Sequence, residues 1–175
     1  MKVLIAYATT EGQTRKIVRY VAEWLTTKGH SVELWPVAEG DDLDIAGFDR
    51  AVLAGSVHIG RFQRELELFA AKNRASLDQL ETLFLAVSLA AAGDDPNDWA
   101  GLEDIVAKFS SKTGWTPKRV EHVAGAFRFT QYDFFRSWAM RWIAAQKDHE
   151  VDPNADKEYT DWKALADTLA DWIGA

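Results

Sequence analysis

The sequence predicts an α/β fold in which a parallel sheet of five strands is covered by helices on both faces. Three observations carry this reading. Short apolar, β-branched runs alternate with segments whose apolar residues recur at the 3.6-residue helical period. The alternation repeats along the chain, which is the pattern of βαβ units and hence of parallel strands joined by right-handed crossovers. Three of the strand runs are apolar without interruption, as strands covered on both faces must be.

The elements follow in order. Val3, Leu4, Ile5 and Ala6 form the first strand, and Ile17, Val18, Val21, Ala22 and Leu25 then share one face of a helix that Gly29 ends. Residues 31–35 alternate in polarity, which suits a half-buried strand near a sheet edge. Ala51, Val52, Leu53 and Ala54 form a central strand, followed by a helix carrying Phe62, Leu66, Phe69 and Ala70. Residues 83–87 form the fourth strand, and Trp99, Leu102, Ile105, Val106 and Phe109 line the next helix. Residues 119–126 read as the fifth strand, and Trp162, Leu165, Ala166, Leu169 and Ile173 stripe the last helix. Residues 127–158 interrupt the alternation, where a connection of roughly 2–6 residues is usual.

Bulk composition narrows the function classes. A chain of 175 residues, 47% hydrophobic and 27% charged, suits one domain with a real core spanning 1–175. Its net charge of −7 argues against nucleic acid as a partner. Without a cysteine it has no disulfide, thiolate nucleophile or cysteine-held metal. The N-terminus has no signal-peptide pattern, and the longest apolar run, 83–93, is too short to span a bilayer, so a cytoplasmic protein is expected. The four histidines, His30, His58, His122 and His149, show no metal-ligand spacing, and no metal is expected.

The first candidate site is the junction after strand one, Thr9, Thr10, Glu11, Gly12, Gln13 and Thr14. A strand–loop–helix junction gathers free backbone N–H groups and the positive end of a helix dipole, a ready anion site. Gly12 allows close approach, and the threonines add hydroxyls. The spacing is neither GxxxxGK[ST] nor GxGxxG, which argues against a nucleoside triphosphatase and a dinucleotide site. The same residues would also serve if Thr9 or Thr10 merely capped the helix.

The stretch Thr9-x-Glu11-Gly12-x-Thr14 after an N-terminal strand resembles the [ST]-x-[TE]-G-x-T phosphate loop of flavodoxins. The resemblance implies a flavodoxin-like three-layer sandwich with strand order 2-1-3-4-5, and FMN bound at the carboxyl ends of the strands. It assigns 9–14 to the FMN phosphate and sets the flavin ring between two loops. One holds Gly55, Ser56, Val57, His58, Ile59 and Gly60; the other holds Ser88, Leu89, Ala90, Ala91, Ala92 and Gly93. Flavodoxins usually cover the ring with an aromatic residue from these loops. Here neither loop has one, which leaves a flavin face open to a substrate.

The interruption is aromatic. Residues 127–142 hold Phe127, Phe129, Tyr132, Phe134, Phe135, Trp138 and Trp142. On a helical wheel Phe134, Phe135, Trp138 and Trp142 share a face that Arg136 and Arg141 flank. Residues 127–145 carry a charge of +2, three arginines less one aspartate, within an acidic chain. Such a helix suits an anionic membrane surface or a flat carboxylated ligand, although an apolar stripe more often packs on its own sheet. Arg128, Arg136 and Arg141 are candidates to pair with ligand carboxylates.

Gly125-Ala126-Phe127-Arg128-Phe129, Tyr132, Phe135-Arg136 and the later Glu158-Tyr159-Thr160-Asp161-Trp162 resemble the flavodoxin-like bacterial protoporphyrinogen oxidases, a family marked by an insertion before the last helix. The resemblance implies oxidation of protoporphyrinogen IX to protoporphyrin IX in haem biosynthesis. It also implies FMN as cofactor, menaquinone or ubiquinone as acceptor, and peripheral association with the inner membrane. A homo-oligomer is compatible with it. The loops after strands three and four are less basic, aromatic and polar here than in that family. His58 is the one histidine on a cofactor loop and the candidate base, since imidazole exchanges protons near neutrality. Two other readings are a flavodoxin-type electron carrier without its own substrate, and an NAD(P)H:quinone reductase of the same superfamily.

Overall fold

The computed structural model describes residues 1–10, 12–38, 43–127 and 157–174. Strands β1 (Lys2–Tyr7), β2 (Ser31–Pro36), β3 (Arg50–Ser56), β4 (Glu81–Ser88) and β5 (Arg119–Ala124) form one parallel sheet in the order β2-β1-β3-β4-β5. The expected architecture and strand order are therefore present. Helix α1 (Gln13–Thr27) joins β1 to β2, α2 (Arg64–Lys72) and the short α3 (Arg74–Leu77) join β3 to β4, and α4 (Pro96–Thr113) joins β4 to β5. Helix α5 (Trp162–Gly174) follows the insertion.

Two cores follow from the two-residue period of the strands. Val3, Ile5 and Tyr7 of β1 point to the face covered by α1 and α5, where Ile17, Val21, Leu25, Leu165, Leu169 and Trp172 pack. Leu4 and Ala6 point to the other face, covered by α2, α3 and α4. There Phe62, Phe84, Phe109 and Trp115 form an aromatic cluster, with Phe84 stacked on Phe109 at 4.9 Å between centroids. The sequence stripe needs one adjustment on each side. Trp172 is buried in α5 while Ile173 lies at the edge, and Trp99 of α4 is only half-buried.

Local signals agree with these elements. Asp95 caps α4 by accepting from the Asn97 amide at 2.8 Å, with Pro96 at the first helical position. Buried Arg50 donates to the Trp172 carbonyl at 2.6 Å, a cation at the carboxyl end of α5.

The fifth strand is shorter than residues 119–126. Gly125 turns the chain out of the sheet after Ala124, and Ala126–Phe127 forms β6, which pairs antiparallel with β7 (Lys157–Glu158). The inserted segment thus begins and ends in one hairpin stem, and the tail of the apolar run that suggested a longer β5 belongs to that stem.

Gly55 sits where β3 passes beneath α2. A Cβ there would lie 2.5 Å from Leu66 Cδ2 and 3.1 Å from the Phe62 ring, both in the packed core. Gly55→Ala is expected to lower stability by about 1–3 kcal/mol through this overpacking, read as a lower midpoint in urea unfolding with an unchanged slope.

Candidate functional site

The carboxyl ends of β1, β3 and β4 carry three loops, drawn together by ladder hydrogen bonds that continue past the strands. The Ala8 amide donates to the Ala54 carbonyl at 3.0 Å, Val57 to Val87 at 2.7 Å, and Gly125 to Ser88 at 2.9 Å. Loop 9–14 therefore lies beside the loops after β3 and β4, as the strand order requires.

Gly12 stands at the N-cap of α1 with φ 89°, a left-handed conformation that glycine adopts without steric cost. The Gly12 amide donates to Thr9 Oγ1 at 3.0 Å, which holds the turn closed. Thr14 is buried to 1% exposure, and its hydroxyl has no partner among the described residues. Such a group costs roughly 1–3 kcal/mol unless something accepts or donates to it. Thr10 and Ser56 are joined through Gln63, whose Nε2 donates to Thr10 Oγ1 at 3.0 Å and to Ser56 Oγ at 2.5 Å. Gln63 Oε1 is also buried and without a partner among the described residues. Sequence reasoning missed Gln63. Its only local signal was an amide just before a helix, but it bridges the first two loops.

The loop after β3 closes in a tight turn. His58 N–H donates to the Arg61 carbonyl at 2.8 Å, and Arg61 N–H returns to the His58 carbonyl at 3.2 Å. Ile59 and Gly60 at the tip have φ 48° and 70°, the two positive values of a type I′ turn. A β-branched residue is strained in that conformation. Ile59 is also 71% exposed, so its apolar side chain stands at the rim of the site. The loop after β4 is a 3-10 turn over Ala90–Ala92 anchored by the Ala91 amide on Ser88 Oγ, and Leu89, Ala90, Ala91 and Gly93 are half-buried. Trp99 Nε1 donates to the Gly93 carbonyl at 2.9 Å and braces this loop from α4.

Gln13 is placed differently from a side chain in the phosphate loop. Its Nε2 donates to Thr160 Oγ1 at 3.0 Å and to Glu158 Oε2 at 3.1 Å, so it faces the foot of the insertion and leaves only its backbone to the loop. Glu158 also takes Lys16 Nζ at 2.5 Å on Oε2 and Trp162 Nε1 at 3.0 Å on Oε1. Thr160 Oγ1 donates to the Ala124 carbonyl at 2.7 Å, and the Tyr159 amide to the Gly125 carbonyl at 3.0 Å. Glu11, Arg128, Phe134, Phe135, Arg136, Trp138, Arg141 and Trp142 lie outside the described residues.

A crevice at the reversal point of a 2-1-3-4-5 sheet, with a glycine-turned loop at a helix N-terminus, is the arrangement of a mononucleotide-binding doubly wound protein. The chain belongs to the flavodoxin domain family, which matches residues 4–154. Among curated proteins it is 27% identical to the protoporphyrinogen IX dehydrogenase [quinone] of Escherichia coli K12, over 95% of this chain and 91% of that protein. It is 26% identical to the enzyme of the same name from Leishmania major, over 98% of this chain and 74% of that one. Among solved structures it superposes on oxidised flavodoxin 1 from Bacillus cereus with a TM-score of 0.58, at 12% identity, covering 99% of this chain and 98% of that one. A flavodoxin from Pseudomonas aeruginosa gives 0.53 at 16% identity, over 83% and 95%. Both likenesses are of fold.

Family membership indicates FMN as the cofactor and redox chemistry as the function. The loop suits a phosphate monoester, because it combines a left-handed glycine, the N-terminus of a 15-residue helix and a buried hydroxyl without a partner among the described residues.

The Lys16 ammonium, with the Gln13 and Trp162 donors, holds the Glu158 carboxyl below its ordinary value of 4.5, against a partial burial that raises it. A lowered folded value means that the stabilisation is complete above the unfolded value and disappears as pH falls through the folded one. The stability gap between wild type and Glu158→Gln is expected to stay constant near neutrality and to close as pH drops below 4.5, read from urea midpoints across that range.

Proposed function

We propose that the chain is an FMN-dependent dehydrogenase that passes reducing equivalents from protoporphyrinogen IX to a quinone, menaquinone or ubiquinone, in haem biosynthesis. The observation that carries this is the reach of the resemblance. The sequence match to the Escherichia coli dehydrogenase covers 95% of this chain and 91% of that protein, so it extends through the 127–158 insertion, which lies outside the five-stranded sheet. The chain reads as one domain, 1–175, with the insertion serving the substrate.

In this reading Thr9, Thr10, Gly12 and Thr14 hold the FMN phosphate with the opening amides of α1, and Glu11 and Gln13 contribute backbone. The loops Ser56, Val57, His58, Ile59, Gly60 and Ser88, Leu89, Ala90, Ala91, Gly93 flank the ring. Bound FMN supplies the redox chemistry, taking reducing equivalents from one partner and yielding them to the other. Ile59 presents an aliphatic side chain at the rim, a surface suited to an apolar macrocycle or quinone ring. His58 stands at the start of the same turn and takes the proton that leaves with each oxidation. Arg128, Arg136 and Arg141 pair with the porphyrin carboxylates, and Phe134, Phe135, Trp138 and Trp142 supply apolar contact with the porphyrin or an anionic membrane surface. Among the described residues no helix is long and apolar enough to cross a membrane. Contact with the bilayer, at the cytoplasmic side of the inner membrane, would then be peripheral.

The purified protein loaded with FMN is expected to oxidise protoporphyrinogen IX anaerobically with a soluble quinone analogue. A variant with 128–156 replaced by a short linker is expected to keep FMN and lose that turnover. Full activity in the shortened variant would remove the role given to the insertion. No turnover in either protein, with normal one-electron cycling of the flavin, would instead identify an electron carrier.

Thr14→Val keeps the side-chain shape and drops the hydroxyl. If the hydroxyl serves the phosphate, the variant should bind FMN about tenfold or more weakly, since a hydrogen bond to a charged group contributes about 1.5–3 kcal/mol. The apoprotein should unfold no earlier than wild type, because the buried hydroxyl has no partner to lose among the described residues. Flavin fluorescence titration and thermal melting check the two halves.

A further inference from the structure

The contacts between α1 and the foot of the insertion form one continuous chain. The Ala124 carbonyl at the end of β5 accepts from Thr160 Oγ1, which accepts from Gln13 Nε2. The same Nε2 donates to Glu158 Oε2, which also accepts from Lys16 Nζ. Gln13 is the first residue of α1 and Lys16 lies one turn later, whereas Glu158 ends β7 and pairs with Ala126 of β6. The three bonds that reach α1 join residues 142 to 147 positions apart in sequence.

We propose that Glu158 is a positioning residue that couples occupancy of the phosphate loop to the β6–β7 stem of the insertion. This rests on the reading that loop 9–14 takes the FMN phosphate. The physical case has two parts. Gln13 is buried and directs both amide hydrogens into Glu158 and Thr160, so its backbone, next to Gly12, is held from the stem side. Lys16 pairs with Glu158, so the carboxylate does not stand opposite a phosphate as a bare charge. What passes between the two places is therefore geometry. A phosphate that orders the first turn of α1 orders the donors of Glu158, and through it β7.

Coupling of this kind is reciprocal: if the stem favours phosphate binding, phosphate binding must favour the stem by the same factor. Riboflavin, which carries the ring without the phosphate, is the probe that separates this route from contacts made by the ring. In wild type, FMN should slow exchange of the Tyr159 and Gly125 amides, the first bonded to the Gly125 carbonyl at the foot of the stem and the second tying that foot to Ser88 of β4. Riboflavin should slow them less.

In Glu158→Gln, FMN should bind about fivefold or more weakly, riboflavin should bind as in wild type, and FMN should no longer protect Tyr159. Glu158→Asp, which keeps the charge, should recover part of the loss. Circular dichroism and apoprotein melting establish that the variants are folded. Equal FMN affinity in wild type and Glu158→Gln would overturn the coupling, as would tighter binding in the variant. Equal loss for FMN and riboflavin would reduce Glu158 to a general structural role and overturn it too. A wild-type protein that does not prefer FMN to riboflavin would instead refute the phosphate-loop reading beneath it.

Discussion

From β1 the chain leaves over one face of the sheet, through α1, to reach β2. From β3 it leaves over the other face, through α2 and α3, to reach β4. Neighbouring strands whose connections part in this way leave a crevice between their carboxyl ends that no crossover covers. Everything at the site hangs on that parting. The opening turn of α1 lies on one side of the crevice, and the turns after β3 and β4 lie on the other. Gln63 ties the two sides with one side-chain amide, reaching Thr10 from α2's edge and Ser56 from β3.

Much of this was legible in the sequence, because it rests on local and periodic signals. The uninterrupted runs in β1, β3 and β4 announced central strands, and the weaker alternation of residues 31–35 announced an edge. Gly12 and Gly29 marked turns where the chain does take positive φ. The rest depended on partners far away in sequence. A strand of two residues, such as Ala126–Phe127 or Lys157–Glu158, has no period to detect. Glu158 stood in the sequence only as the first residue of Glu158-Tyr159-Thr160-Asp161-Trp162, and only the fold brings Gln13 and Lys16 to it. The strain at Ile59 was equally silent, since nothing in Val57-His58-Ile59-Gly60 announces that the isoleucine, and not only the glycine, must turn left-handed.

The polar contacts at the site divide into two energetic kinds. Lys16 and Glu158 are 58% and 32% exposed, and a pair so open to water contributes little stability by itself. Its importance is directional, since it fixes where a helix begins relative to a hairpin. The hydroxyl of Thr14 and the amide oxygen of Gln63 are the reverse, buried atoms without partners among the described residues, whose desolvation the apoprotein bears. Folding therefore proceeds at some expense in stability to keep a site already shaped for a polar guest.

The hairpin stem has a wider implication for how such a chain can change. Because β6 and β7 pair and Tyr159 returns to Gly125, the chain leaves the end of β5 and comes back beside it before α5 begins. For a segment whose ends are so held, the entropic cost of closure rises only with the logarithm of its length, about 0.6 kcal/mol per doubling. The five-stranded sheet is thus nearly indifferent to how many residues the stem carries. Lineages are free to lengthen, trim or replace that cargo while the flavin scaffold beneath it stays the same.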